Sequence, residues 1–296
     1  MSTLPALRNA ATVILTRDRD DGSCEIFFMR RHHSQAFMSG AFVFPGGRLD
    51  GEDCHPALRR HIKGTGRENL SHRLQEPALP ESIARGLHLA AIREMFEEAG
   101  VLLAADSSGS ILDFRDVECN RRFTAYRDAL HREEITLLDI AGRENIRFLP
   151  SLLLPYAHWM TPEVEPKRFD TRFFIARLPA GQHPSHDGNE LTASAWMTPA
   201  QALSDHGASR IVLMPPTLKT VEELKAFKTT DELLQAVSRH TILPILPQAF
   251  ETEDGGFGVK LPFDPEYSID AYKLPIRPSE PSRIVCRNGI WRTATA

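Results

Sequence analysis

The sequence predicts an α/β fold. Apolar, β-branched runs at 10–16, 24–31, 169–178 and 193–197 read as strands. A long helix opens at Glu81-Ser82 and stops at Gly100, which tolerates the left-handed conformation of a helix C-terminus. Later segments carry their own helix starts, beginning with Thr198-Pro199. At 296 residues the chain can hold one large domain with additions, or two small ones.

Taken in order, 10–16 and 24–31 form a hairpin around Asp21-Gly22. Residues 42–44 read as a short buried strand. Pro45-Gly46-Gly47 then reads as a tight turn, either a plain sharp bend or a bare backbone able to approach a ligand or metal. The stretch 48–80 is polar and weakly periodic, so it is expected to be a surface excursion with a short helix at 55–63. Residues 111–140 have helical character, 150–159 are apolar and extended, and Thr161-Pro162 breaks that run. A polar loop at 179–190 precedes the strand ending near Trp196. Helices follow at 216–227 and 231–239, the second capped by Thr230. Beyond 243, proline is frequent. A strand is expected at 257–261, and 283–287 pairs with 290–293 across Asn288-Gly289.

Composition excludes several classes. The net charge of -4 offers no general attraction for nucleic acid or acidic membrane. No apolar run approaches the roughly 20 residues that span a bilayer. The four cysteines are scattered and form no Cys-x-x-Cys pair, which argues against a zinc site and points to a reducing, cytoplasmic setting.

The chemistry concentrates at 93–101. On a helix, Glu94, Glu97 and Glu98 stand at i, i+3 and i+4 and share a face, while Leu89, Ile92, Met95, Phe96 and Ala99 form the opposite, apolar stripe. Like charges so spaced repel by roughly 0.2–0.5 kcal/mol per pair. A hard divalent cation, Mg2+ or Mn2+, relieves that repulsion; a solvated acidic face is the other reading of the pattern. Arg93 stands one turn before Glu97 and can fix its rotamer.

Pro45-Gly46-Gly47 followed by Arg93-Glu94-x-x-Glu97-Glu98-x-Gly100-Val101 resembles the two ends of the Nudix box. That motif runs glycine, five residues, glutamate, seven residues, then Arg-Glu-apolar-x-Glu-Glu-x-Gly-apolar. The second half matches at every specified position. The first half departs twice: Asp53 stands where glutamate is expected, and residues 54–92 occupy the gap that the motif closes with seven. The segment 35–47, His158-Trp159-Met160-Thr161-Pro162 with Arg168-Phe169-Asp170-Thr171, and Leu213-Met214-Pro215-Pro216 resemble the coenzyme A diphosphatase branch of the Nudix hydrolases, which also has an interrupted box.

The resemblance implies a Nudix α/β/α sandwich with a mixed sheet, an insertion within the box and extra C-terminal helices. It places a Nudix domain at 8–245, with insertions at about 54–80 and 111–140 and late helices at about 216–239. A C-terminal extension, 246–296, is expected to pack on that domain. Residue by residue, it implies Glu94, Glu97, Glu98 and the Gly46 carbonyl as metal ligands, and Arg93 as the residue that orients the glutamates. Glu190 corresponds to a late-loop glutamate that serves as ligand or base. Either Glu97 or Glu190 takes the proton from water.

The implied reaction is metal-dependent hydrolysis of a nucleoside diphosphate joined to another moiety. Coenzyme A or acyl-coenzyme A is the first choice, giving 4′-phosphopantetheine and adenosine 3′,5′-bisphosphate. ADP-ribose, another nucleotide sugar or a dinucleotide is the alternative. A non-catalytic, nucleotide-binding Nudix-like regulator is a third reading, which the retention of Glu94, Glu97 and Glu98 disfavours. Arg31 and Arg168 are candidate phosphate contacts, because guanidinium matches phosphate bidentately. Arg31 fits the first arginine of the coenzyme A signature, but Ala36 stands at the second. The expected partner is a small-molecule nucleoside diphosphate derivative, with neither nucleic acid nor membrane involved; a homodimer is left open.

Overall fold

The computed structural model describes residues 5–31, 40–63, 69–185 and 191–296. Strand β1 (Leu7–Asp18) and β2 (Cys24–Arg31) form the expected hairpin, but they pair only near its turn, at Thr16↔Ile26 to Asp18↔Cys24. Beyond that the two strands diverge. β3 (Phe42–Val43) pairs with β2, and β4 (Gly46–Arg48) pairs antiparallel with β1 at Ala10–Thr12. The Pro-Gly-Gly segment is therefore a strand entry and not the expected tight turn. Glycine is what permits it: a Cβ on Gly46 would lie 2.5 Å from the carbonyl oxygen of Ala11.

The excursion after β4 is less superficial than its polarity predicts. Its 3₁₀ turns at Glu52–Cys54 and Pro56–His61 and the short helix α1 (Leu70–Arg73) bury Asp53, Leu58, Leu70 and Leu74. The long helix α2 (Glu81–Ala99) follows and ends at Gly100, with φ 71°. After β5 (Ala104–Ala105) come α3 (Val117–His131) and α4 (Leu137–Glu144), the latter closed by a capping box between Thr136 and Asp139. Then β6 (Arg147–Phe148) pairs with β5.

The sheet is completed by β7 (Leu154–Met160), β8 (Arg168–Arg177) and β9 (Leu191–Met197). β1 and β8 run parallel over ten residue pairs, whereas β7 is antiparallel to β8 and β9 to β2, so the sheet is mixed. Helices α5 (Pro199–Gly207), α6 (Pro215–Leu224) and α7 (Thr230–Val237) come next. The cap of α7 is Thr229, whose hydroxyl accepts from the Glu232 N–H; Thr230 is already helical and donates its N–H to Asp18.

β10 (Pro244–Ile245) joins the sheet edge beside β7. A second, four-stranded antiparallel sheet comprises β11 (Gln248–Glu251), β12 (Phe257–Lys260), β13 (Arg283–Arg287) and β14 (Ile290–Ala294). Asn288 and Gly289, with φ 52° and 77°, make the tight turn expected between the last two strands.

Strand alternation divides the interior into two layers. Ala11, Val13 and Leu15, with Phe174 and Ala176, pack on α2. Ile14, Phe28, Phe173 and Ile175 face α6, α7 and the second sheet, through Leu218, Val221, Leu233, Val259 and Ile284. Among the described residues, no helix is long and apolar enough to cross a membrane.

Candidate active site

The divergence of β1 from β2 opens a cleft of about 1010 Å³, bordered by the acidic face of α2. Arg93 organises that face. Its Nε donates to Asp53 at 2.9 Å and one Nη to the other Asp53 oxygen at 3.0 Å, a two-pronged pair in the protein interior. The same Nη also reaches the Arg48 carbonyl at 2.9 Å. The remaining Nη donates to Glu94 at 2.9 Å and to Glu97 at 3.2 Å. Asp53, 1 % exposed, thus fills the first acidic position of the interrupted box across the intervening chain.

Charge crowding marks the site. Burial pushes the Glu94 carboxyl up to about 7; Arg93 pulls it back, and the nearby Glu97 charge pushes it further up. Burial likewise raises Glu97 and Asp53, in each case against the pull of Arg93. Burial by itself would lower the pKa of Arg93, yet Asp53, Glu94 and Glu97 together raise it above its ordinary value.

Backbone approach sets the other carboxylates. Glu98 accepts from the Gly46 N–H at 2.8 Å. A Cβ on Gly47 would fall 2.3 Å from a Glu94 carboxylate oxygen, so β4 presses directly on the acidic face. At the far end of α2, Arg127 of α3 donates to the carbonyls of Glu97 and Glu98, both at 2.8 Å, and to the Ser185 carbonyl at 2.9 Å.

The predicted residues are distributed unequally. Glu94, Glu97, Glu98, Gly46, Arg93 and Arg31 all line the cleft. Arg31 has a buried Nε with no hydrogen-bond partner among the described residues. Arg168 does not belong with them: it is 7 % exposed and donates to the carbonyls of Thr161 and Pro5, pinning the start of β8. Its neighbour Lys167 borders the cleft instead. Glu190 lies outside the described residues. Arg127 carries no local motif that marks it in the sequence, and Phe257 and Trp291, which also line the cleft, sit in a tail whose position only the tertiary fold reveals.

Oxygen donors of this kind suit a hard cation, which would offset the burial that, with the neighbouring Glu97 charge, raises Glu94. As placed, no three acidic, histidine or cysteine side chains among the described residues converge into a coordinating cluster. Arg93 draws Glu94 and Glu97 to itself, and Glu98 bonds Gly46. Arg93 is anchored independently on Asp53 and the Arg48 carbonyl, and the carboxylates around it are the oxygen donors that a hard cation takes.

A family model described as the NUDT19 Nudix domain matches residues 68–224, more than half of the chain. The chain belongs to this Nudix family. The matched stretch holds the second half of the Nudix box, and the fold brings Gly46, Gly47 and Asp53 to it from outside. Among curated relatives, "Acyl-coenzyme A diphosphatase NUDT19" of Xenopus laevis is 26% identical over 300 residues, covering 89% of this chain and 76% of that protein. The Gallus gallus protein of the same name is 27% identical over 308 residues, covering 89% and 80%. The crystal structure of a Nudix hydrolase from Alicyclobacillus acidocaldarius superposes with a TM-score of 0.60 at 25% identity, covering 81% of this chain and 99% of that one. The expected Nudix sandwich is thereby met, with the second sheet as an addition. Nudix hydrolases work with divalent cations.

Proposed function

We propose that this Nudix hydrolase cleaves the diphosphate bond of coenzyme A and its acyl thioesters, releasing adenosine 3′,5′-bisphosphate and 4′-phosphopantetheine or its acyl form. The observation that carries the reading is the Arg93-ordered acidic face opening into a cleft at the upper end of small-molecule sites, which hold about 300–1,000 Å³. The named relatives supply the substrate class.

Glu94, Glu97 and Glu98 are the proposed ligands of Mg2+ or Mn2+, with the Gly46 carbonyl beside them. Bound there, the cation neutralises the diphosphate and makes water nucleophilic. The chain's own residues do the rest. Arg93 holds Glu94 and Glu97 at the cleft through a guanidinium anchored on Asp53. Arg31, whose Nε lacks a partner among the described residues, donates to a phosphate oxygen, and Lys167 adds positive charge at the rim. Water attacks one phosphorus, the bridging P–O bond breaks, and the water's proton goes to Glu97 or Glu190. A cytoplasmic setting suits four free thiols.

The test is product analysis with coenzyme A, acetyl-coenzyme A, ADP-ribose and NADH, with Mg2+ or Mn2+ and after chelation. Turnover of the two coenzyme A compounds that chelation abolishes is expected. Turnover of ADP-ribose or NADH without the coenzyme A compounds overturns the substrate. Glu97→Gln and a matching substitution at Glu190 separate the two bases: the one that leaves turnover intact is not the base.

A further inference from the structure

The cleft, at about 1010 Å³, is larger than a diphosphate needs, and its far wall differs in character from the acidic face. That wall comes from the second sheet and the entry to α6: Pro247, Phe257, Val259, Trp291 and Met214 line it, none of them charged. Val259 is buried in the inner layer, but Phe257, a large aromatic, is 39% exposed. Phe257, Cys286 and Trp291 occupy one row across β12, β13 and β14, which places them on one sheet face. The Phe257 and Trp291 rings meet edge to face, with centroids 6.0 Å apart at 81°. An exposed Phe257 ring packed on a partly buried Trp291 at the edge of the cleft marks a surface that a ligand covers.

We propose that this wall, built by the C-terminal sheet, receives the acyl chain of the thioester substrate; the inference rests on the coenzyme A reading above. Three parts of such a substrate compete for the space. The adenosine bisphosphate carries charged phosphates, and the pantetheine arm carries two amides and a hydroxyl. The adenine base also stacks on aromatic rings, but it is tied to a ribose that carries two phosphates; the acyl chain is wholly apolar and loses neither hydrogen bond nor ion pair against a wall without a charged group. The wall is continuous with the acidic face through Thr171 and Phe173 of β8, so one extended molecule reaches both. The family match ends at residue 224, so the part of the wall built by the second sheet (Pro247, Phe257, Val259 and Trp291) lies outside it and sets chain preference without touching the reacting bond. Each methylene buried there is worth about fourfold in binding.

The experiment uses the full chain with Mg2+ and compares coenzyme A, acetyl-, octanoyl- and dodecanoyl-coenzyme A by kcat/KM. In the wild type, kcat/KM rises with chain length. Trp291→Ala and Phe257→Ser lower the dodecanoyl-to-coenzyme A preference at least tenfold, and Trp291→Phe restores most of it. Phe257 is partly exposed, so its variant retains the wild-type Tm even where Trp291→Ala does not. A flat wild-type series, or folded variants that keep the wild-type preference, overturns the proposal while leaving the coenzyme A reading intact. A wild type that turns over no coenzyme A compound but cleaves ADP-ribose removes that reading and the wall's role with it.

Discussion

Gly47 and Glu94 are in van der Waals contact across the gap between β4 and α2, with no room for a methyl group: a Cβ on Gly47 would stand 2.3 Å from Oε1 of Glu94. What lies there is the far end of a flexible side chain, so Gly47→Ala displaces the carboxylate and leaves the backbone in place. The expected result is a 10- to 100-fold loss of turnover, the scale of outer-shell changes at metal sites, with little change in Tm. Gly46 behaves differently, because its Cβ would strike the Ala11 carbonyl and Thr12 backbone at 2.5 and 2.7 Å. Gly46→Ala must therefore lower Tm as well. Thermal melts and initial rates on the two variants separate the cases; equal Tm losses would refute the distinction.

Asp53 carries the guanidinium that carries the glutamates. It is 1 % exposed and pairs with Arg93 through both oxygens. Removing one partner of a buried pair leaves the other charge uncompensated, at a cost of about 3–5 kcal/mol. Asp53→Ala is expected to lose that much in urea unfolding, and its activity should fall because Arg93 then leans on Glu94 and Glu97. Asp53→Glu restores the residue of the family motif but adds a methylene to a filled site, with an expected cost of about 1–3 kcal/mol. A variant of either kind with wild-type unfolding would show that Asp53 is not the anchor.

Local pattern and long-range contact divide what the sequence can disclose. Helix α2, its acidic face and its end at Gly100 follow from spacing and one glycine, and the Asn288-Gly289 hairpin follows from turn chemistry. Asp53 was legible only by counting within the motif, since nothing near it signals burial. Arg168 and Lys167 look equivalent in sequence; which of them borders the cleft depends on strand alternation at the first residues of β8. Gly46-Gly47 read as a turn because glycine pairs usually make one, whereas here they serve close packing of β4 on β1 and α2. The apolar wall at Phe257 and Trp291 exists only because the second sheet packs beside β8, a contact that no local pattern encodes.

Arg127 ties the insertion helix α3 to the acidic helix α2. It satisfies the Glu97 and Glu98 carbonyls at the end of α2 and holds Ser185 in the loop leading towards Glu190. A planar, forked donor spans two successive carbonyls; an ammonium does not. Arg127→Lys and Arg127→Met are both expected to lower kcat about tenfold with little change in KM. They should also speed amide exchange in residues 96–101, where the last turn loses its cap. Lysine rescue to wild-type kcat, or unchanged exchange, would reduce Arg127 to a surface charge.

His88 makes the fold acid-sensitive. It is wholly buried in α2, its Nδ1 bonds the Ala84 carbonyl at 2.8 Å, and its Nε2 has no partner among the described residues. Its ring lies 4.9 Å from that of Phe174. Burial holds its pKa down to about 4, against about 6.5 for an imidazole in water. The fold therefore favours the neutral ring. Its stabilising contribution is fully present above pH 6.5, is lost as pH falls towards 4, and amounts to about 3 kcal/mol over that window. Glu94 acts in the opposite direction without metal: its carboxyl is raised in the fold, so it adds stability as pH falls from about 7. Comparing wild type with His88→Leu cancels that shared term. The wild type should lose about 3 kcal/mol more than the variant between pH 7 and 4 in urea titrations. Parallel pH profiles for the two proteins would mean that the ring accepts its proton inside the fold, and that His88 does not set the acid limit.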